Sequence, residues 1–102
     1  MKTIPLLLLG IALLPLAASA QGNHVIQQKN RRFIPSQIEI ARGDSLTFTN
    51  QDEFVHQMYV DGLFDSDGKR PGETLTERFA NGGTFEVKCH IHPKMKLVVR
   101  VK

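Results

Sequence analysis

The chain is 102 residues long, holds a single cysteine and has a formal net charge of +3 with histidine neutral. That length accommodates one small domain, and one cysteine excludes an internal disulfide framework. The basic residues are scattered apart from Arg31-Arg32 and the stretch Lys94 to Lys96. With no aromatic ladder to stack bases, they argue against nucleic acid as the partner.

The opening reads as an address. Lys2 supplies the positive start, the leucine-rich run Leu6 to Leu16 follows, and Ala18-Ser19-Ala20 ends it in the small-x-small pattern of a cleaved signal peptide. The run is shorter than the about 20 residues a bilayer span requires, and Pro5, Gly10 and Pro15 further disfavour a retained membrane helix. The expected organisation is a signal peptide over 1–20 and one secreted domain over 21–102, with no membrane span after cleavage. Losing Lys2 lowers the formal charge to +2, a mildly basic surface that suits brief docking with an acidic partner.

Beyond the leader the dominant period is two, the mark of half-buried strands. His24 to Gln28 is read as a first strand. Ile38 and Ile40 alternate with Gln37 and Glu39; Gly43-Asp44 turns the chain; Leu46 and Phe48 alternate with Thr47 and Thr49. His56, Met58 and Val60 share one face, against Val55, Gln57 and Tyr59 on the other. Residues 62–72, rich in Gly, Asp and Pro, read as a long surface loop, and Thr74 to Phe79 as a weaker strand interrupted by Glu77. Asn81-Gly82-Gly83 is predicted to be a hairpin turn. Phe85, Val87 and Cys89 then alternate with Glu86 and Lys88, and Leu97, Val99 and Val101 with Val98, Arg100 and Lys102. No helical stripe of useful length occurs. Six to eight short strands with frequent turns predict an all-β antiparallel sandwich or barrel.

Parity then places the thiol. Phe85 and Val87 define the core face, so Cys89 points inward and His90 outward. Met95 shares parity with Leu97, Val99 and Val101 and sits at the upper edge of the core. His92 lies between them in a tight loop stiffened by Pro93, and His56 is inward on its own strand. A lone inward histidine is usually a hydrogen-bonded core residue, and a lone cysteine is usually inert; Met58 is read as core packing, and His24 and His90 as surface residues. The joint pattern of His56, Cys89, His92 and Met95 favours a metal. Two imidazoles, one thiolate and a nearby thioether are the donor set of a trigonal copper site with a weak axial methionine. A metal would also stabilise a domain this small. A cysteine–histidine nucleophile, by contrast, needs an accessible thiol with a base and an oxyanion hole beside it, so an enzyme is not expected.

These residues carry a family resemblance. From Phe33 to Lys102 the chain resembles the cupredoxins, the small blue-copper proteins that include plastocyanin, pseudoazurin and amicyanin. "FIPSQIEIARGDSLTFTNQDEFVHQMYV" is similar to the opening strands that end in the family's first histidine ligand, here His56. "FEVKCHIHPKM" is similar to its C-terminal ligand loop, in which Cys89 is the thiolate, His92 the second imidazole and Met95 the axial thioether. The short gap between His92 and Met95 resembles amicyanin, and "RPGETLTERF" resembles small periplasmic copper proteins of the methylamine-utilisation-like kind. The resemblance implies a Greek-key β-sandwich, one copper ion cycling between Cu(I) and Cu(II), a periplasmic monomer, and one-electron transfer through His92 to redox partner proteins that dock transiently beside it. Phe54, Leu63 and Phe64 are candidates for the apolar docking rim. Many cupredoxins place Asn after the first histidine ligand, where it pins the cysteine's loop; here Gln57 stands there, and Asn50, inward by parity, is expected to assist. A copper-tolerance, buffering or delivery protein without electron transfer would use the same ligands and is the alternative reading.

Overall fold

The structure, a computed structural model, describes residues 22–102; the expected signal peptide and its cleavage point lie outside the described residues. Nine strands form in chain order: β1 (Asn23–Lys29), β2 (Arg32–Ile34), β3 (Gln37–Ile40), β4 (Ser45–Asn50), β5 (Met58–Val60), β6 (Phe64–Asp65), β7 (Thr74–Arg78), β8 (Gly83–Cys89) and β9 (Lys96–Val101). They make two sheets, one in the order β2-β1-β4-β7 and the other β3-β9-β8-β5-β6. Among the described residues there is no helix, and so none that could cross a membrane.

The alternating pattern is what drives each strand onto its sheet. In β4, Leu46, Phe48 and Asn50 are buried while Ser45, Thr47 and Thr49 are only partly covered. Register aligns Phe85 with Val99 and Val87 with Leu97, so β8 and β9 present one apolar surface to the core. Four aromatic contacts link the two halves of that core in series: Phe33–Phe48, Phe48–Phe64, Phe64–Phe79 and Phe79–Phe85, with ring centroids 5.6–6.5 Å apart. Fully burying a ring such as Phe48 stabilises the fold by roughly 1.5–3 kcal/mol.

The all-β sandwich agrees with the sequence reading, and three details differ. Both sheets are mixed, because β1 pairs with β4 and β3 with β9 in parallel. The strand count exceeds the expected range: β2 and β6 are three and two residues long, too short to show a period, and β6 lies inside the segment read as a surface loop. Asn81-Gly82-Gly83 is not a hairpin turn. β7 is an edge strand of one sheet and β8 a central strand of the other, so this segment crosses the sandwich. Phe79 and Phe85 meet across the core instead of side by side. Gly83 has φ of 143°, a backbone conformation that favours glycine, whereas a Cβ on Gly82 would meet only the flexible guanidinium of Arg42, at 2.9 Å.

Strand directions gather one set of ends together. β1 and β4 finish, and β5, β7 and β9 begin, at the end where β8 delivers Cys89. The loops 51–57 and 90–95 cap that end.

Candidate metal centre

β8 and β5 are antiparallel neighbours with Met58 opposite Cys89, and the bond from His90 N–H to Gln57 O at 2.9 Å extends the pairing past the strand end. This brings the Gln57 N–H to the thiol, 3.4 Å from Cys89 Sγ. His56 precedes β5 and is held by a two-bond bridge to Lys69, at 3.0 and 2.7 Å. Its parity with Met58 and Val60 holds: all three are buried. On the other side, Met95 N–H bonds His92 O at 2.9 Å, closing the turn that Pro93 stiffens.

The result is a convergence of donor atoms. Cys89 Sγ lies 3.7 Å from His56 Nδ1 and 3.9 Å from His92 Nδ1, and the three donor atoms lie within 4.8 Å of one another. The two imidazoles are 5.0 Å apart with their planes at 58°. Bonds of about 2.0–2.3 Å from each donor to one ion span such separations when they meet at angles near 120°. One thiolate and two imidazoles in this arrangement fit a single type 1 copper site. Met95 is buried, lines hollows shared with Cys89 and with His92, and has its backbone N–H tied to His92 O.

The surroundings bear on both imidazoles. Burial, the facing His56 and the Arg31 charge together hold His92 below its ordinary pKa, so its ring is neutral at neutral pH. His56 Nε2 lies 2.8 Å from Asp52 Oδ2, which leaves Nδ1 facing the sulfur. Burial would raise the Asp52 carboxyl, but bonds from the Arg31 N–H, the His56 ring and the Asn30 N–H outweigh it and hold it below the usual value. Asn50 fixes the same loop: its amide donates to Phe54 O at 2.7 Å and Lys69 O at 2.8 Å, and its Oδ1 accepts from Asp52 N–H at 2.9 Å.

Other sequence expectations divide. His24 and His90 are surface residues as read: His24 bonds Asp44 at 3.0 Å, and His90 bonds Asp65 at 3.1 Å and stacks on Tyr59 at 3.9 Å. Met58 is core. Of the three rim candidates, Phe54 is exposed and sits edge-on to His92 at 5.9 Å. Leu63 and Phe64 are not at this rim, since they follow the far end of β5, and Phe64 packs on Phe48 and Phe79. Ile91, nearly half exposed, and Pro93 line the apolar hollow beside His92 with Arg31 and Lys94. Asp52 was missed; its only signal is an acid four residues before the inward histidine.

No protein-family model matches the chain. Among solved structures, it is similar to a purple cupredoxin from Nitrosopumilus maritimus at 22% identity and TM-score 0.73, covering 78% of this chain and 99% of that one. It is also similar to a reduced mutant form of amicyanin at 21% identity and TM-score 0.74, covering 84% and 88%. A copper-containing nitrite reductase from Thermus scotoductus matches at 26% identity and TM-score 0.72, over 97% of this chain but only 25% of that one. The chain therefore has the cupredoxin fold, and its His56, Cys89 and His92 cluster fits a single type 1 copper site.

Proposed function

We propose that the protein is a secreted, periplasmic one-electron carrier and not an enzyme, with His56, Cys89, His92 and Met95 holding one copper ion. The observation that supports this most is the convergence of one buried thiol and two imidazole nitrogens within 4.8 Å, supplied by two distant segments of a β-sandwich. Copper, when bound, supplies a one-electron couple between Cu(I) and Cu(II). The chain's part is to hold the donors still. The β5–β8 pairing, the His56–Lys69 bridge and the Asn50 bonds fix the donors independently of the ion, so little need move when its charge changes. Cys89 and Met95 offer sulfur to the softer cuprous state, and the neutral imidazoles suit both states.

His92 alone of the three clustered donors reaches the surface, beside Phe54, Ile91 and Pro93. Such a small apolar face fits the brief contacts of redox encounters, and Arg31 and Lys94 at its edge fit an acidic partner. The copper-loaded wild type is expected to show an intense visible sulfur-to-copper charge-transfer band that Cys89→Ala abolishes; identical spectra for the two would reject the site. Self-exchange measured by NMR line broadening separates the readings: fast exchange supports the carrier, and sluggish exchange with ready copper loss supports tolerance or delivery instead.

A further inference from the structure

Among the described residues, Asp52 is the one buried carboxylate in contact with the metal cluster, and it touches more than the ligand. Its side chain is 5% exposed. Oδ2 meets His56 Nε2 at 2.8 Å and also accepts the Arg31 N–H at 3.0 Å, while Oδ1 accepts the Asn30 N–H. Asn30 and Arg31 form the turn between β1 and β2 with φ of 54° and 57°, a left-handed conformation that non-glycine residues keep only when something holds it. With its N–H so fixed, Arg31 lays its guanidinium 4.7 Å over the Phe54 ring, and Phe54 in turn meets the His92 ring edge-on at 5.9 Å. The carboxylate thus holds one imidazole directly and braces the other through a turn, a cation and an aromatic ring.

We propose that Asp52 is the positioning residue of the metal centre, fixing the Nε2-protonated tautomer of His56, steadying His92 through Arg31 and Phe54, and using its negative charge to favour the cupric over the cuprous state. An ionised carboxylate can only accept, so Asp52 requires a hydrogen on His56 Nε2; in the neutral ring the lone pair then sits at Nδ1, toward Cys89. A carboxylate behind a ligating imidazole raises its basicity, and a more basic donor stabilises the higher charge. The inference rests on the copper reading for its redox half and on the protein alone for its tautomer half.

Two measurements test it. In metal-free wild type, nitrogen-15 NMR of the histidines should show His56 protonated at Nε2; a predominant Nδ1-protonated form overturns the proposal whatever the protein binds. In the copper-loaded protein, Asp52→Asn, which keeps the shape and removes the charge, should shift the oxidised-to-reduced ratio about tenfold toward Cu(I), a rise of about 59 mV for one electron. It should also weaken Cu(II) affinity by about 10- to 100-fold, and Asp52→Glu should recover most of both effects. A natively folded Asp52→Asn with unchanged ratio and affinity overturns the proposal while leaving the copper site standing. A wild type lacking the Cys89-dependent band sinks the site reading instead, and the tautomer then decides the remainder.

Discussion

Asn50 shows how one side chain can set a site it never enters. Buried at the end of β4, it makes three hydrogen bonds of 2.7–2.9 Å to Phe54 O, Lys69 O and Asp52 N–H, tying the two segments that flank His56. Asn50→Ala removes all three bonds and leaves the buried Asp52 N–H and the partly buried Phe54 O without this partner, while Lys69 O keeps the His56 N–H. The expected loss is about 2–4 kcal/mol, from roughly 1 kcal/mol per hydrogen bond plus the penalty for unpaired buried groups, read by urea unfolding of the metal-free protein. Alternation in the sequence marks Asn50 as inward, and likewise His56, Cys89 and Met95, because each sits in step with strongly apolar neighbours. It gives no such handle on Asp52. That residue lies in an irregular loop, where a carboxylate facing inward and one facing solvent look the same. Gln57 is instructive in another way: its side chain replaces the family's usual Asn, yet its backbone N–H still reaches the sulfur, and backbone contacts are invisible to a substitution pattern.

Between strands, a second carboxylate does a comparable job at the opposite end. Asp44, after the β3–β4 turn, accepts from Gly22 N–H at 2.8 Å, Ala41 N–H at 3.0 Å and bonds His24 at 3.0 Å, joining the start of β1 to that turn. The His24 bond first, then the Gly22 and Ala41 amides, lower its pKa from 3.8 to about 2. A carboxyl whose folded value is depressed stabilises the fold above its unfolded pKa and loses that contribution as pH falls through the folded value. Melting temperatures of the metal-free protein are therefore expected to drop between about pH 4 and about pH 2, and to drop less in Asp44→Asn than in wild type. Equal slopes would show that the bond does not matter. Strands with several apolar positions in step, such as β4, β8 and β9, were legible at this scale. β2 and β6 were not, because two or three residues cannot display a period. The Asn81–Gly83 segment misled for a different reason: glycine reports that the backbone must bend or make room, and not which strand the chain joins next.

For the molecule as a whole, the arrangement of charge around the metal end is the testable property. Arg31 and Lys94 border the hollow beside His92, whereas Arg100 lies four residues into β9 beyond Lys96, about 13 Å at a rise of ~3.3 Å per residue. Screening acts over about 10 Å at 0.1 M salt, so only the nearer charges should steer a small reagent arriving at His92. Oxidation of the reduced copper protein by anionic hexacyanoferrate(III) should slow as salt is added, and oxidation by cationic tris(phenanthroline)cobalt(III) should not. Lys94→Gln should lower the hexacyanoferrate rate severalfold at low salt, with Arg100→Gln, an identical change in net charge, close to wild type. Equal effects of the two variants would mean that electrons leave elsewhere. Which strands pair in parallel, and hence that both sheets are mixed, could not be read at any scale below this one, since β1 with β4 and β3 with β9 unite segments far apart along the chain.

One feature of the centre reaches beyond metal binding. Cys89 is the only cysteine in the chain and is 2% exposed, walled in by β5 and the His92 turn. A thiol-specific reagent added to the metal-free protein therefore has a single target, reachable only when that corner parts. Its consumption clocks the breathing of one β-sheet end, without any label being engineered in.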